Sequence, residues 1–135
     1  MNFYVMTLFP EMIEQGLNTS IIGRAMEKDL LSLKAINIRD YTLDKHKRVD
    51  DYPYGGGAGM LMTVEPVLRT YEAVRADIAE KTGKSERPRV VYLTPWGHTF
   101  TQKMAKELAQ EENLVFLCGH YEGIDQRFID ECVDE

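Results

Sequence analysis

A glycine-rich segment at residues 50–62, DDYPYGGGAGMLM, most constrains what this chain can fold into. Glycine inside a helix or strand costs about 0.5–1 kcal/mol relative to alanine, so neither element suits this composition. Bare backbone is needed here either for positive φ angles or for a ligand that approaches closer than a Cβ allows. The segment therefore predicts a functional loop built around its four closely spaced glycines, Gly55, Gly56, Gly57 and Gly59.

Length and composition predict one soluble domain with a single core, since the chain has 135 residues and is 44% hydrophobic. No apolar run approaches the roughly 18 residues of a membrane span. The first residues lack the basic start and cleavage site of a signal peptide. We therefore expect a cytoplasmic protein with no membrane partner.

The distribution of charge is uneven. The net charge of −6 argues against general binding to nucleic acid. Residues 45–48, however, form a compact basic run, KHKR, directly before the glycines. Its side chains could contact phosphates, or the run could be a solvated loop with local ion pairs, and the run alone favours the second interpretation.

The hydrophobic pattern alternates between strands and helices, which predicts an α/β fold with a mostly parallel sheet and flanking helices. We expect helices from Pro10, from the Thr19–Ser20 cap, and over 64–82, 101–111 and 124–133. Strands are expected at 3–9, 32–39, 90–93 and 114–117. Residues 40–59 are expected to be irregular, and loops of that length are usually functional or disordered.

Two of the predicted strands end in unusual loops, at residues 93–97 and 117–123. In open α/β sheets, ligands bind outside the carboxyl ends of strands. Glycine, proline and aromatic residues in both loops suggest a pocket for a flat ligand such as a purine, which Trp96 or Tyr121 could cover. The alternative, that both are ordinary tight turns, is equally compatible with these residues. Neither loop has dinucleotide-binding or Walker A spacing, and no cluster has metal-ligand spacing, so we assign no metal site.

Seven short motifs, taken together in order and spacing, resemble the bacterial tRNA (guanine-N1)-methyltransferases. They are LFPEM at 8–12, GRA at 23–25, RDYT at 39–42, DKHKRVDD at 44–51, PYGGGAGM at 53–60, YLTPWG at 92–97 and CGHYEGID at 118–125. Each motif alone is weak, whereas seven in the same order are very specific. The resemblance spans the whole chain.

The resemblance implies a SPOUT-class α/β methyltransferase whose core contains a trefoil knot. Members of the family are homodimers that transfer a methyl group from S-adenosylmethionine to N1 of the guanine directly 3′ of the tRNA anticodon; Mg²⁺ is a possible further requirement. The implied cofactor-binding residues are Leu93, Thr94, Pro95, Gly119, Tyr121, Glu122 and Gly123. The implied contacts with tRNA or the target guanine are Arg24, His46, Arg48, Asp51, Gly55, Gly56, Gly57 and Gly59.

In the family, the chain continues past the position of Glu135 into a segment that completes the knot, followed by a small tRNA-binding domain. The expected general base lies in that segment, so no catalytic residue is assigned within residues 1–135. We expect residues 1–135 to be the N-terminal part of the cofactor-binding domain, inactive by itself. The alternative is a non-enzymatic module that binds nucleotides or dimerises.

Overall fold

The computed structural model describes residues 1–43, 45–46, 49–51, 61–119 and 123–135, without the side chains of residues 50, 51 and 61. The four predicted loop glycines, Arg48, Tyr121 and Glu122 therefore lie outside the described residues. The described strands are β1 (Asn2–Thr7), β2 (Ser32–Asn37), β3 (Asp50–Asp51), β4 (Leu61–Met62), β5 (Arg89–Leu93), β6 (Asn113–Cys118) and β7 (Gly123–Ile124). The described α-helices are α1 (Pro10–Leu17), α2 (Ser20–Glu27), α3 (Val64–Thr82), α4 (Gln102–Leu108) and α5 (Gln126–Cys132).

The main sheet has the strand order β2-β1-β6-β5, and all of its pairs are parallel. This confirms the predicted α/β fold with a parallel sheet. The steps from β1 to β2 and from β5 to β6 run in the same direction across the sheet. Right-handed crossovers therefore place α1, α2 and α4 on one face and α3 on the other.

The larger part of the core lies between the sheet and α3 with α5. Apolar residues at helical spacing on α3 are buried there, at Val67, Tyr71, Val74 and Ile78. Phe128 of α5 packs edge-on against Tyr71, with ring centroids 5.8 Å apart. The opposite face of β5 and β6 carries a smaller cluster around Val91, Leu108 and Leu114.

Local sequence signals explain most of the helix boundaries. Pro10 occupies the first turn of α1, and the side chain of Thr101 caps α4 by accepting a hydrogen bond from the Met104 N–H at 3.2 Å. Helix α3 has the predicted bounds and ends at Gly83, whose φ of +71° is the left-handed conformation that glycine favours at a helix end.

Several predicted boundaries were wrong. The strand expected over 3–9 ends at Thr7, and the helix expected over 101–111 ends at Leu108. Two further differences have a clear local cause. The strand expected over 32–39 ends at Asn37, because the Asn37 side chain accepts a hydrogen bond from the Arg39 N–H and starts a 3₁₀ turn. The last helix was expected from residue 124 but begins at Gln126. Ile124 instead pairs in β7, and Asp125 caps the helix.

The edge strand β5 is held by the last residues of the chain. The Tyr92 N–H donates to the Glu135 carbonyl at 2.8 Å, and the Asp134 N–H donates to the Val90 carbonyl at 2.9 Å. Arg89 forms an ion pair with Glu135. None of the helices in the described part of the chain has the length and apolar content required to cross a bilayer.

A buried hydrogen bond fastens α3 to the central strand. The Tyr4 hydroxyl, on a fully buried ring, donates to Asp77 Oδ2 at 2.8 Å. Lys34 and Lys81 lie 3.5 Å and 3.2 Å from the Asp77 carboxylate. Burial, reinforced by Asp77, raises the pKa of Tyr4 to about 12, so the phenol remains a donor at neutral pH. Partial burial alone would raise the pKa of Asp77, but the hydrogen bonds from Tyr4 and Lys81 outweigh it and hold that pKa below its ordinary value.

We expect Tyr4→Phe to lower the free energy of unfolding by about 1.5–3 kcal/mol at pH 7, because it removes a hydrogen bond to a charged acceptor. Urea unfolding at several pH values measures this. Since the folded-state pKa of Asp77 is depressed, the contribution is present above the ordinary pKa of about 3.9 and is lost as the pH falls through the folded-state value. A Tyr4→Phe effect that stayed constant down to pH 2 would contradict this account.

Candidate active site at the carboxyl edge of the sheet

The two loops singled out from the sequence leave the sheet side by side. Strands β5 and β6 are parallel neighbours, and Leu93 at the end of β5 pairs with Cys118 at the end of β6. Residues 94–97 and Gly119 therefore start from adjacent points of the carboxyl edge. This is the edge at which an open parallel sheet binds its ligands.

The loop after β5 begins with a tight turn organised by Thr94. The Thr94 hydroxyl oxygen accepts a hydrogen bond from the Trp96 N–H at 3.3 Å, and its carbonyl accepts one from the Gly97 N–H at 3.3 Å. Leu93, directly before the turn, leaves 54% of its area exposed. An exposed leucine at a strand end gives a ligand an apolar surface to cover.

Gly119 lies directly against the ring of Tyr92. A Cβ at position 119 would stand 3.1 Å from both Cε2 and the hydroxyl oxygen of Tyr92, closer than nearly all real Cβ contacts. Burial raises the pKa of the Tyr92 phenol, although a hydrogen bond with the Thr94 side chain opposes this shift. A side chain at position 119 would therefore require the Tyr92 ring to move by a few tenths of an ångström, a packing constraint that the sequence did not reveal.

A small second sheet joins the glycine-rich segment to the loop after β6. Strand β4 pairs antiparallel with β3, at Asp51↔Leu61, and parallel with β7, at Leu61↔Gly123. The Thr63 N–H donates to the Val49 carbonyl at 2.9 Å. Both ends of residues 52–60 are therefore held beside the point where the 119–123 loop ends.

Gly123 and Asp125 fix the exit from that loop. Gly123 has a φ of +152°, which L side chains rarely adopt. The Asp125 N–H donates to the Met62 carbonyl at 3.0 Å, and its carboxylate accepts hydrogen bonds from the Arg127 N–H and guanidinium at 2.8–3.0 Å. These hydrogen bonds, mainly those from the guanidinium, lower the pKa of Asp125 below its ordinary value, although partial burial acts to raise it.

Asp125 was not among the predicted site residues. The expected helix over 124–133 placed Asp125 within its first turn, although aspartate is a residue that commonly caps a helix and so could have indicated a start at Gln126. Its contacts make it a positioning residue that ties α5 to β4, because its carboxylate is already occupied by Arg127.

For the other predicted site residues that the structure describes, it gives only their exposure or the position of their backbone. Pro95 is exposed in the turn after β5, Arg24 is exposed on α2, and His46 is exposed in a short turn. Asp51 is placed by its backbone in β3. The structure thus brings Leu93, Thr94, Pro95, Gly119 and the ends of the glycine-rich segment to neighbouring strand ends, but does not test contacts with tRNA.

An apolar groove of about 610 Å³ runs along the α4 face of β5 and β6. It meets the predicted cofactor-binding residues only at its Leu93 and Thr94 end, and it reaches Met1 and Leu114 at the opposite edge. Apolar side chains dominate its lining, and polar side chains are a minority there, at Tyr92, Thr94, His98 and Glu135. We therefore locate the candidate cofactor site at the strand ends and not in this groove. Within the described part of the chain, no cluster of three or more His, Cys, Asp or Glu residues could hold a metal.

Comparison with known proteins agrees with the resemblance. A family model described as tRNA (Guanine-1)-methyltransferase TrmD matches residues 1–135. Proteins named tRNA (guanine-N(1)-)-methyltransferase from Lachnoclostridium phytofermentans and Lachnospira eligens are 55% and 59% identical, over 100% of this chain and 56% and 55% of their own lengths. The crystal structure of tRNA (m1G37) methyltransferase from Aquifex aeolicus superposes with a TM-score of 0.85 at 34% identity, over 100% of this chain and 57% of that one. The chain spans about half the length of the curated relatives it matches.

Replacing Gly119 tests the site directly. In the full-length protein we expect Gly119→Val to abolish binding of S-adenosylmethionine in calorimetry, because the side chain fills space at the strand end and presses on Tyr92. Ala76→Val is the control, since it adds a β-branched side chain at an exposed position of α3 and should leave the affinity unchanged. Unfolding curves of both variants separate lost binding from lost stability. Unchanged affinity in a folded Gly119→Val protein would remove Gly119 from the site.

Proposed function

The chain belongs to the tRNA (guanine-1)-methyltransferase family, and from this premise we propose that the whole protein methylates N1 of the guanine 3′ of the tRNA anticodon. The observation that carries the proposal is the family match over residues 1–135. It is supported by the positions of two predicted binding loops, which leave the same edge of the sheet side by side. Residues 1–135 would then be the N-terminal part of the cofactor-binding domain, and we expect the enzyme to act in the cytoplasm.

S-adenosylmethionine would supply an electrophilic methyl group when bound. The described residues fit such a ligand: Leu93 offers apolar surface, Thr94 and Pro95 lie in a preformed turn, and Gly119 is exposed at the neighbouring strand end. Tyr121 and Glu122, between Gly119 and Gly123 in sequence, are the remaining proposed cofactor contacts within this chain. Mg²⁺ stays an expectation of the resemblance, and we assign no step to it.

A proton must leave N1 of guanine as the methyl group arrives, so the reaction needs a proton acceptor. Among the described residues, Asp125 is the carboxylate closest in sequence to the proposed cofactor loop. Its lowered pKa and its hydrogen bonds to Arg127 make it a weak and occupied base. This supports placing the general base outside residues 1–135. The proposed RNA contacts within this chain are Arg24, His46, Arg48, Asp51 and the four loop glycines.

The proposed reaction is tested with the full-length protein, S-adenosylmethionine and unmodified tRNA carrying guanine 3′ of the anticodon. We expect nucleoside mass spectrometry to show 1-methylguanosine, with no product when adenine replaces that guanine. Residues 1–135 alone should give no product, because the proposed base is missing. Methylation at another atom or another nucleotide would contradict the proposed function.

We also propose that the protein is a homodimer, with α1 and α2 in the interface. Helix α1 has no buried residue, and α2 buries only Gly23. Apolar side chains on and beside these helices are left exposed, at Phe9, Met12, Leu17, Ile21 and Ile22. An apolar patch of this kind is typical of an interaction surface, and because the resemblance implies a homodimer, we propose a second copy of the chain as its occupant.

Charge placed on this surface should separate the subunits. We expect Ile21→Glu, at a side chain 73% exposed, to convert the full-length protein to a monomer in sedimentation analysis. Ala76→Glu is the control, because Ala76 is exposed on α3, which lies on the other face of the sheet. A dimer that withstands Ile21→Glu would show that the interface lies elsewhere.

A further inference from the structure

The loop between β5 and α4, residues 94–101 and here termed the aromatic loop, exposes two large rings. Trp96 is 89% exposed and Phe100 is 65% exposed, with exposed His98 between them. A single exposed apolar residue is normal on a protein surface. Two large rings within one eight-residue loop, next to a candidate active site, are a more specific arrangement.

The aromatic loop starts at the candidate site and is anchored there. It follows Leu93, whose sheet partner is Cys118, the residue before Gly119. The Thr94 hydroxyl and carbonyl oxygens hold the Trp96 and Gly97 N–H groups, each at 3.3 Å. The backbone that carries the Trp96 ring is therefore fixed close to where the target guanine would be placed.

The charge around the loop suits a polyanion. Residues 94–106 contain no acidic residue, although the chain as a whole has a net charge of −6. Lys103 and Lys106, both exposed on α4, follow the rings. Sites for single-stranded nucleic acid combine such cations with aromatic rings on which bases stack.

Other occupants fit this loop less well. A ring that is 89% exposed does not wall an enclosed pocket, whereas small-molecule sites bury most of their ligand. The centres of protein–protein interfaces are depleted in lysine, so the nearby lysines disfavour a second copy of the chain. The exposed helices α1 and α2 already offer a more apolar surface for that role.

We propose that Trp96 is a stacking platform for an unpaired base of the RNA substrate next to the target guanine, with Lys103 and Lys106 near its phosphates. The proposal rests on the proposed tRNA methyltransferase function and adds a binding residue to it. Loss of the ring should weaken RNA binding about 5- to 150-fold, corresponding to about 1–3 kcal/mol for one stacked base.

The test uses the full-length protein and an anticodon stem-loop RNA. We expect Trp96→Ala to raise the Kd for this RNA at least fivefold, Trp96→Phe to change it less than threefold, and Leu30→Ala to leave it unchanged, by order-of-magnitude estimate from stacking energies. The affinity for S-adenosylmethionine, measured by calorimetry without RNA, should be the same in all four proteins. Because Trp96 is the only tryptophan in residues 1–135, the difference between wild-type and Trp96→Phe emission isolates its fluorescence, which RNA should quench.

The outcomes distinguish the stacking role of Trp96 from the proposed tRNA methyltransferase function on which it rests. Unchanged RNA affinity in Trp96→Ala, beside a wild type that binds and methylates, would overturn the stacking role alone. Quenching by S-adenosylmethionine without RNA would assign the ring to the cofactor, and a Trp96→Ala monomer would assign it to the subunit interface; either result overturns the proposal. A wild type that binds no RNA would contradict the proposed function itself.

Discussion

The arrangement of the candidate site depends on the short pairing between β4 and β7. Two-residue strands are not stable by themselves, since even an isolated hairpin is marginal in water. Here the pairing is held by the core, because Met62 of β4 and Ile124 of β7 are buried together with Val49. Burial of these three apolar side chains fixes the described ends of the glycine-rich segment and of the loop after β6.

The pairing of β4 with β7 brings segments with different proposed roles next to each other. The β5 and β6 ends supply apolar surface, a preformed turn and an exposed glycine, which suit a cofactor. The ends of the glycine-rich segment arrive through β3 and β4, next to the same loop. Asp125 ties β4 to α5 and its carboxylate is hydrogen-bonded to Arg127, so this carboxylate serves a structural role.

The large elements were predictable from the sequence because each has a clear hydrophobic period or a residue that ends it. The apolar spacing on α3 and the glycine after it gave both bounds of the helix. The sheet edge was predictable because two apolar strands were each followed by unusual loops. The seven motifs identified the family, which no single element could have done.

Other features could not be predicted, for physical reasons. Strands β4 and β7 have two residues each, too few for a hydrophobic period to show. Ile124 fitted the helical pattern that follows it, so the helix was expected to start too early. The contact of Gly119 with Tyr92 depends on the register of β5 against β6, which a loop sequence does not encode locally.

The central claim is that β4 is fixed between β3 and β7, and amide hydrogen exchange tests it most directly. The informative groups are the Thr63 N–H, bonded to the Val49 carbonyl, and the Asp125 N–H, bonded to the Met62 carbonyl. In the ¹⁵N-labelled full-length protein, both amides should exchange as slowly as those of β1 in the main sheet. Rapid exchange at both, with β1 still protected, would show that the small sheet does not hold the two loops together.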